Sequence, residues 1–266
     1  MIDLHALAGL PRSGTTLLGN VLAQHPDVHV SGTSALPLCL EAVQGVLSTA
    51  PEVQSDLATV PGAYERYVAA MQGLIDGWYS QLDGDPAVID KGRGWIMHRA
   101  LLDQLAPGSV LVVCVRDPRD VVASIERQHR ATAAFNSPLA RTIYEVAELL
   151  MQPDGMVGGP MRFAEDLIRR KVGGVVWVRY ESLVIDPATT VAKVADTLGL
   201  APFAFDFTNV ENVATDLDAI HRNKYPHDGS GPIKATGTDW RDVLEPGLAA
   251  AIIGRWPLYA ATFGYS

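Results

Sequence analysis

Cysteine is nearly absent, with Cys39 and Cys114 the only two in 266 residues. Cys114 lies inside an apolar run, so a disulfide-stapled scaffold is excluded and a reducing compartment is expected. The seven histidines and two cysteines form no H-E-x-x-H or C-x-x-C, and no metal site is expected. No stretch approaches the roughly 18 uninterrupted apolar residues of a membrane span. The opening MIDLHALAGLPRS carries Asp3 where a secretory leader carries basic residues, so the chain reads as cytoplasmic. Basic residues are in deficit, 21 against 30 acidic, for a net charge of -9. That balance argues against a nucleic-acid partner.

Apolar residues are plentiful, at 48% of the chain, and the length is ample for a substantial core. A single domain over 1–266 is the simplest organisation. Residues 4–8 form a short apolar run that stops at Gly9, and Leu17, Leu18, Val21 and Leu22 then follow at helical spacing. The pattern predicts strand, glycine loop, helix. Further strands are expected at 87–90, 110–115 and 175–178, with helices over 65–82, 95–105, 118–130, 187–198 and 246–256. The run VLVVCV is continuously apolar, as in a parallel strand covered on both faces. Asp117 is placed to cap the helix after it, with Pro118 at the first helical position. Alternating strands and helices imply an α/β fold, with a central parallel sheet between two helical layers. The polar, glycine- and proline-rich segment 221–234 reads as an ordered loop or a lid.

The first loop, GLPRSGTT, has the glycine spacing of the phosphate-binding pattern G-x-x-x-x-G-K-[ST], yet Thr15 stands where lysine belongs. Such a loop aims backbone N–H groups and a helix dipole at one anion. Ser13, Thr15 and Thr16 add hydroxyl donors around Gly14, and Arg12 adds a permanent planar charge. Without the lysine, triphosphate chemistry loses the cation that reaches the β- and γ-phosphates, whereas a shorter anionic head still fits. A second segment, VCVRDPRDVVAS, puts Arg116 at a strand end and Ser124 eight residues later in the next helix. Those two side chains can converge on one phosphate beside the first loop.

PRSGTTLL resembles the 5′-phosphosulfate loop of the PAPS-dependent sulfotransferases, above all the tyrosylprotein branch and its bacterial relatives, and so does the continuation LGNVLAQHPDVHV. The resemblance implies a P-loop-type fold and transfer of a sulfuryl group from 3′-phosphoadenosine 5′-phosphosulfate (PAPS) to a hydroxyl or amine. Adenosine 3′,5′-bisphosphate (PAP) is then released, with no metal required. By the same resemblance Arg116 and Ser124 hold the 3′-phosphate. Lys91, in VIDKGRGW, contacts the transferring group, Tyr180, in VRYESLVIDP, lies near the adenine, and Lys234, in GPIKATGTDW, touches the phosphate end.

The match breaks at the base. The branch has a glutamate soon after its HPDV-like segment, where this chain reads Ser31-Gly32-Thr33-Ser34-Ala35. Glu41, Asp90 and His129 remain as candidates, and tyrosylprotein activity does not carry over. The acceptor class, whether small molecule, glycan, lipid or peptide, stays open. Two other readings stand beside this one. The first is a divergent P-loop kinase with Asp117 as its acidic metal ligand; the second is a nucleotide-binding module without turnover.

Overall fold

The structure is a computed structural model describing residues 2–132, 142–213, 230–235 and 239–265. Most of the segment expected as a loop or lid, residues 221–229, lies outside these. Five strands, β1 (Leu4–Gly9), β2 (Val28–Thr33), β3 (Ala87–Lys91), β4 (Leu111–Val115) and β5 (Val175–Arg179), form one sheet. All are parallel, in the order β2-β3-β1-β4-β5. The first strand is therefore central, as its wholly buried run requires.

Alternation along the strands divides the core into two faces. Leu4, Ala6 and Ala8 of β1 join Leu111, Val113 and Val115 of β4 in one cluster. Leu7, Val112 and Cys114 point the other way, toward Leu18, Val21 and Leu22 of α1 (Thr15–Leu22) and Val191 and Val194 of α10 (Pro187–Thr197). Full burial pushes the Cys114 thiol up to about 12, which makes it an inert packing group. The first face is covered by α4 (Ala63–Trp78), α5 (Arg99–Leu105), α6 (Pro118–Ala131), α7 (Ile143–Met151), α8 (Gly158–Arg170), α11 (Pro246–Gly254) and α12 (Pro257–Phe263). The expected three-layer α/β architecture is what the chain adopts.

Punctuation residues set the boundaries. Among the described residues, five helices open on a proline: α3 (Pro51–Thr59), α6, α10, α11 and α12. Asp117 caps α6, its carboxylate accepting from the Arg119 N–H at 2.8 Å.

The helices Leu36–Thr49, Pro51–Thr59, Ile143–Met151, Gly158–Arg170, Tyr180–Ile185 and Pro257–Phe263 lie outside the sequence expectation, and two further departures have a visible cause. Strand β2 is an edge strand whose signal is only the alternation of Val28 and Val30, too short to register as a periodic run. The helix expected over 95–105 divides into a 3₁₀ turn (Arg93–Ile96) and α5. The indole of Trp95 is committed to Asp90, its Nε1–H donating at 2.6 Å. Gly92 and Gly94 lie so close to Pro37 that a Cβ on either would sit 3.1 Å from its ring. This contact fixes the start of α2 (Leu36–Thr49) against the end of β3.

Asp90 is the polar knot of this side of the core. Its carboxylate accepts from the Tyr79 hydroxyl and the Trp95 indole, and it is fully buried. Burial raises its pKa, with the Tyr79, Ser34 and Trp95 hydrogen bonds opposing. A raised folded-state pKa means that Asp90 supports stability in acid and loses that support as pH climbs through its folded value. Asp90→Asn is expected to cost about 1–3 kcal/mol, because one of the two donors then faces an amide NH₂. In denaturant titrations from about pH 4 upward, the gap between wild type and this variant should narrow; a gap that widens contradicts the assignment.

Gly9 ends β1 at a close backbone approach, since a Cβ there would meet the Cys114 carbonyl oxygen at 2.5 Å. Gly9→Ala should lower stability by about 1–3 kcal/mol. Gly45 on α2 faces open space, and Gly45→Ala should raise it by about 0.5–1 kcal/mol. Paired denaturant midpoints check both signs.

Candidate active site

A parallel sheet brings the carboxyl ends of its strands to one edge, where the connecting loops can meet. Here the loop after β1 meets the segments leaving β3 and β4. Registers Leu7↔Lys91 and Gly9↔Cys114 bring those chain ends level with it.

The loop holds its shape through its own backbone. Leu10 N–H donates to Cys114 O at 3.1 Å, and the Ser13 hydroxyl donates to Leu10 O at 2.6 Å. Gly14 takes φ 87° and precedes α1, a helix with no side-chain cap. Its first N–H groups therefore face the loop, an arrangement suited to an anion. Arg12 also adopts a left-handed conformation, φ 61°, which costs a non-glycine residue about 1–3 kcal/mol. Ser13, Thr15 and Thr16 share this turn with them, as expected.

Arg116 enters from the end of β4 and is only 4% exposed. Its Nη1–H donates to Arg12 O at 2.9 Å, and its guanidinium lies 4.3 Å from the centre of the Tyr180 ring. Its Nε–H is buried and lacks a hydrogen-bond partner among the described residues. A buried unpaired donor costs about 1–3 kcal/mol, so this one calls for an acceptor. Ser124, two turns into α6, accepts from Arg12 Nε–H at 3.4 Å. Tyr180 also closes over Gly14, where a Cβ would come within 3.0 Å of its ring. The two segments read from sequence as separate phosphate cradles thus share one wall.

Lys91 is 6% exposed and reaches across from β3, its Nζ donating to Thr16 Oγ1 at 3.0 Å. Its backbone is held on both sides: Lys91 N–H donates to Ser31 Oγ at 2.8 Å, and Lys91 O accepts from Ser34 N–H at 2.8 Å. The SGTSA stretch that lacks a carboxylate thus shapes the lysine's strand end.

The remaining candidates sit apart from this cluster. Glu41 lies on α2 with its side chain 53% exposed and pairs with His98 at 3.4 Å. Asp90 turns to the face of β3 opposite Lys91, where the core knot occupies it. His129 stands in the last turn of α6. Lys234 is exposed just after Ile233, whose N–H donates to Phe207 O at 3.0 Å. Among the described residues no hydrogen bond or ion pair joins Lys234 to the cradles. Asp117 is gripped by Arg119 in a two-pronged pair, with Nε to Oδ1 at 3.0 Å and Nη2 to Oδ2 at 2.7 Å.

Tyr259 is the residue that sequence reading misses. Its hydroxyl bonds the backbone of Arg116 from 143 positions away, and no local pattern reports such a contact. A cleft of about 370 Å³ lies beyond Asp117 and includes Arg179, Trp240 and Tyr265. Three ion pairs line it, Arg119 with Asp117, Arg179 with Glu181 and Arg241 with Asp239, while the buried Arg179 Nε–H lacks a hydrogen-bond partner among the described residues.

Comparison with known proteins bears on the fold and the family. Nodulation protein NoeE of Sinorhizobium fredii is 29% identical over 222 residues, 77% of this chain and 52% of that protein. The chain therefore spans about half the length of that relative. Among solved structures, the sulfotransferase domain of the Synechococcus PCC 7002 olefin synthase aligns over all of this chain and 96% of its own. Its TM-score is 0.54 at 22% identity. A mouse sulfotransferase complexed with PAP aligns over all of this chain and 85% of its own, with TM-score 0.55 at 15% identity. These likenesses establish a shared fold. The sequence model described as the sulfotransferase family matches residues 6–204, which include the phosphate loop, Lys91, Arg116, Ser124 and Tyr180, and the chain belongs to that family.

Proposed function

We propose that this chain transfers a sulfuryl group from PAPS to a hydroxyl or amine acceptor and releases adenosine 3′,5′-bisphosphate. The observation that carries the reading is the buried, unpaired Nε–H of Arg116 beside a lysine-less phosphate loop. It fits a donor with a second phosphate set apart from the first, and with no γ-phosphate. PAPS supplies the activated sulfuryl group when bound. The α1 N-terminus, with Gly14, Thr15, Thr16 and Arg12, holds the 5′ end, while Arg116 and Ser124 hold the 3′-phosphate. Lys91 places a fixed positive charge beside Thr16, where negative charge grows on the leaving oxygens. Tyr180 walls the pocket between the cradles, and Lys234, exposed after Ile233, is the remaining cation assigned to the phosphate end.

Glu41 is the base candidate with solvent access, and the His98 ring approaches its carboxylate at 3.4 Å. Asp90 is spent on core hydrogen bonds. The kinase alternative loses ground because Asp117, its required metal ligand, is neutralised by Arg119. The single domain over 1–266 and the cytoplasmic setting belong to the same proposal.

Calorimetric titration with adenosine 3′,5′-bisphosphate, AMP and ATP tests the donor. The bisphosphate should bind at least about tenfold tighter than AMP, a margin of about 1.4 kcal/mol, and Arg116→Ala should erase that margin. Equal affinities in wild type, or a preference for ATP with magnesium, would sink the reading. With a responsive acceptor, Glu41→Gln should lower kcat about 100-fold or more with bisphosphate affinity unchanged; an unaltered kcat removes Glu41 from the chemistry. Binding without turnover on any acceptor supports the silent-module alternative.

A further inference from the structure

Arg116 occupies an awkward place in the backbone. The β4 ladder ends at Val115, paired with Arg179, and the α6 cap begins at Asp117. The N–H and C=O of Arg116 therefore fall between strand and helix, where neither element supplies a partner. A single phenol supplies both. The Tyr259 hydroxyl accepts from Arg116 N–H at 3.1 Å and donates to Arg116 O at 2.9 Å. Tyr259 is wholly buried, and its helix is anchored in turn. The Leu258 and Tyr259 N–H groups both donate to Glu165 Oε1, each at 3.1 Å.

The next residue is held from the same segment by an independent route. Asp117 N–H donates to Glu181 Oε1 at 3.3 Å, and the Tyr265 hydroxyl donates to Glu181 Oε2 at 2.9 Å. Two adjacent residues at the end of β4 are thus tied to the last turns of the chain.

We infer that Tyr259, with Tyr265 as a second tether, is a positioning residue that sets the aim of Arg116 and thereby recognition of the ligand's 3′-phosphate. This rests on the proposed PAPS reading, since it deepens the same site. Arg116 has a long side chain, so a small rotation at its Cα displaces Nε by more than hydrogen-bond tolerance allows. The Tyr180 ring and Arg12 O constrain the guanidinium from one side each, but neither fixes its backbone. Burial also holds the Tyr259 hydroxyl protonated far beyond neutral pH, so both of its hydrogen bonds persist there.

A purely structural role for Tyr259 is the competing explanation, because its ring packs against Phe263 and Tyr265. Tyr259→Phe keeps that packing and removes only the hydroxyl. Its affinities for adenosine 3′,5′-bisphosphate and for AMP are measured by calorimetry beside wild type. Bisphosphate affinity should fall about tenfold, the worth of about 1.4 kcal/mol of lost hydrogen bonding, and AMP affinity should stay within about twofold. A folded variant that keeps the wild-type ratio of the two affinities overturns the inference. If wild type itself shows no preference, the PAPS reading has failed and this inference falls with it. Should Tyr259→Phe not fold, Tyr265→Phe decides by the same two titrations, with about a threefold loss for bisphosphate alone; an unchanged ratio there overturns the positioning role.

Discussion

The site depends on a guanidinium kept in the interior with an open hydrogen-bond donor. Arg116 is buried at the end of the central sheet, and its guanidinium is held by a backbone carbonyl and an aromatic face. Neither contact neutralises it. A buried cation with an open donor is tolerated when the fold holds it rigidly and an anion completes it. Much of the surrounding structure serves this end. The sheet order places β4 beside β1, the left-handed turn at Arg12 presents its carbonyl, and the start of α9 (Tyr180–Ile185) supplies the ring.

Lys91 is installed by a different route to the same edge. The end of β2 and the loop that follows it bind its backbone through Ser31 and Ser34, and Thr16 receives its ammonium. The core knot around Asp90 then ties that strand end to α4 and the 3₁₀ turn. Consecutive residues of one strand thus do opposite work, since alternation sends Asp90 into the core and Lys91 to the loop.

Much of this was legible in the sequence where the signal is local. The apolar runs of β1 and β4, the prolines that open helices and the Asp117 cap all act within a few residues. So does the glycine loop, which is why Arg12 through Thr16 could be named beforehand. The pairing of Arg116 with that loop was legible only because both motifs end strands, and parallel strands end together. Strand β2 was hidden by being half-exposed, with only Val28 and Val30 marking its inward face. The break before α5 was hidden because its cause, the Trp95–Asp90 bond and the Pro37 contact, lies in tertiary packing. Tyr259 carries no local mark at all, as its partner is fixed by the docking of α12 on the sheet. The base is the residue on which sequence and structure converge least. Glu41 is near the expected place in the chain, yet its visible partner is His98.

A crystal structure of the complex with adenosine 3′,5′-bisphosphate tests the donor site most directly. The expected result is a 3′-phosphate oxygen accepting from Arg116 Nε–H beside Ser124, with the 5′-phosphate on the first N–H groups of α1. A 3′-phosphate turned to solvent, with the Arg116 Nε–H still unpaired, contradicts it.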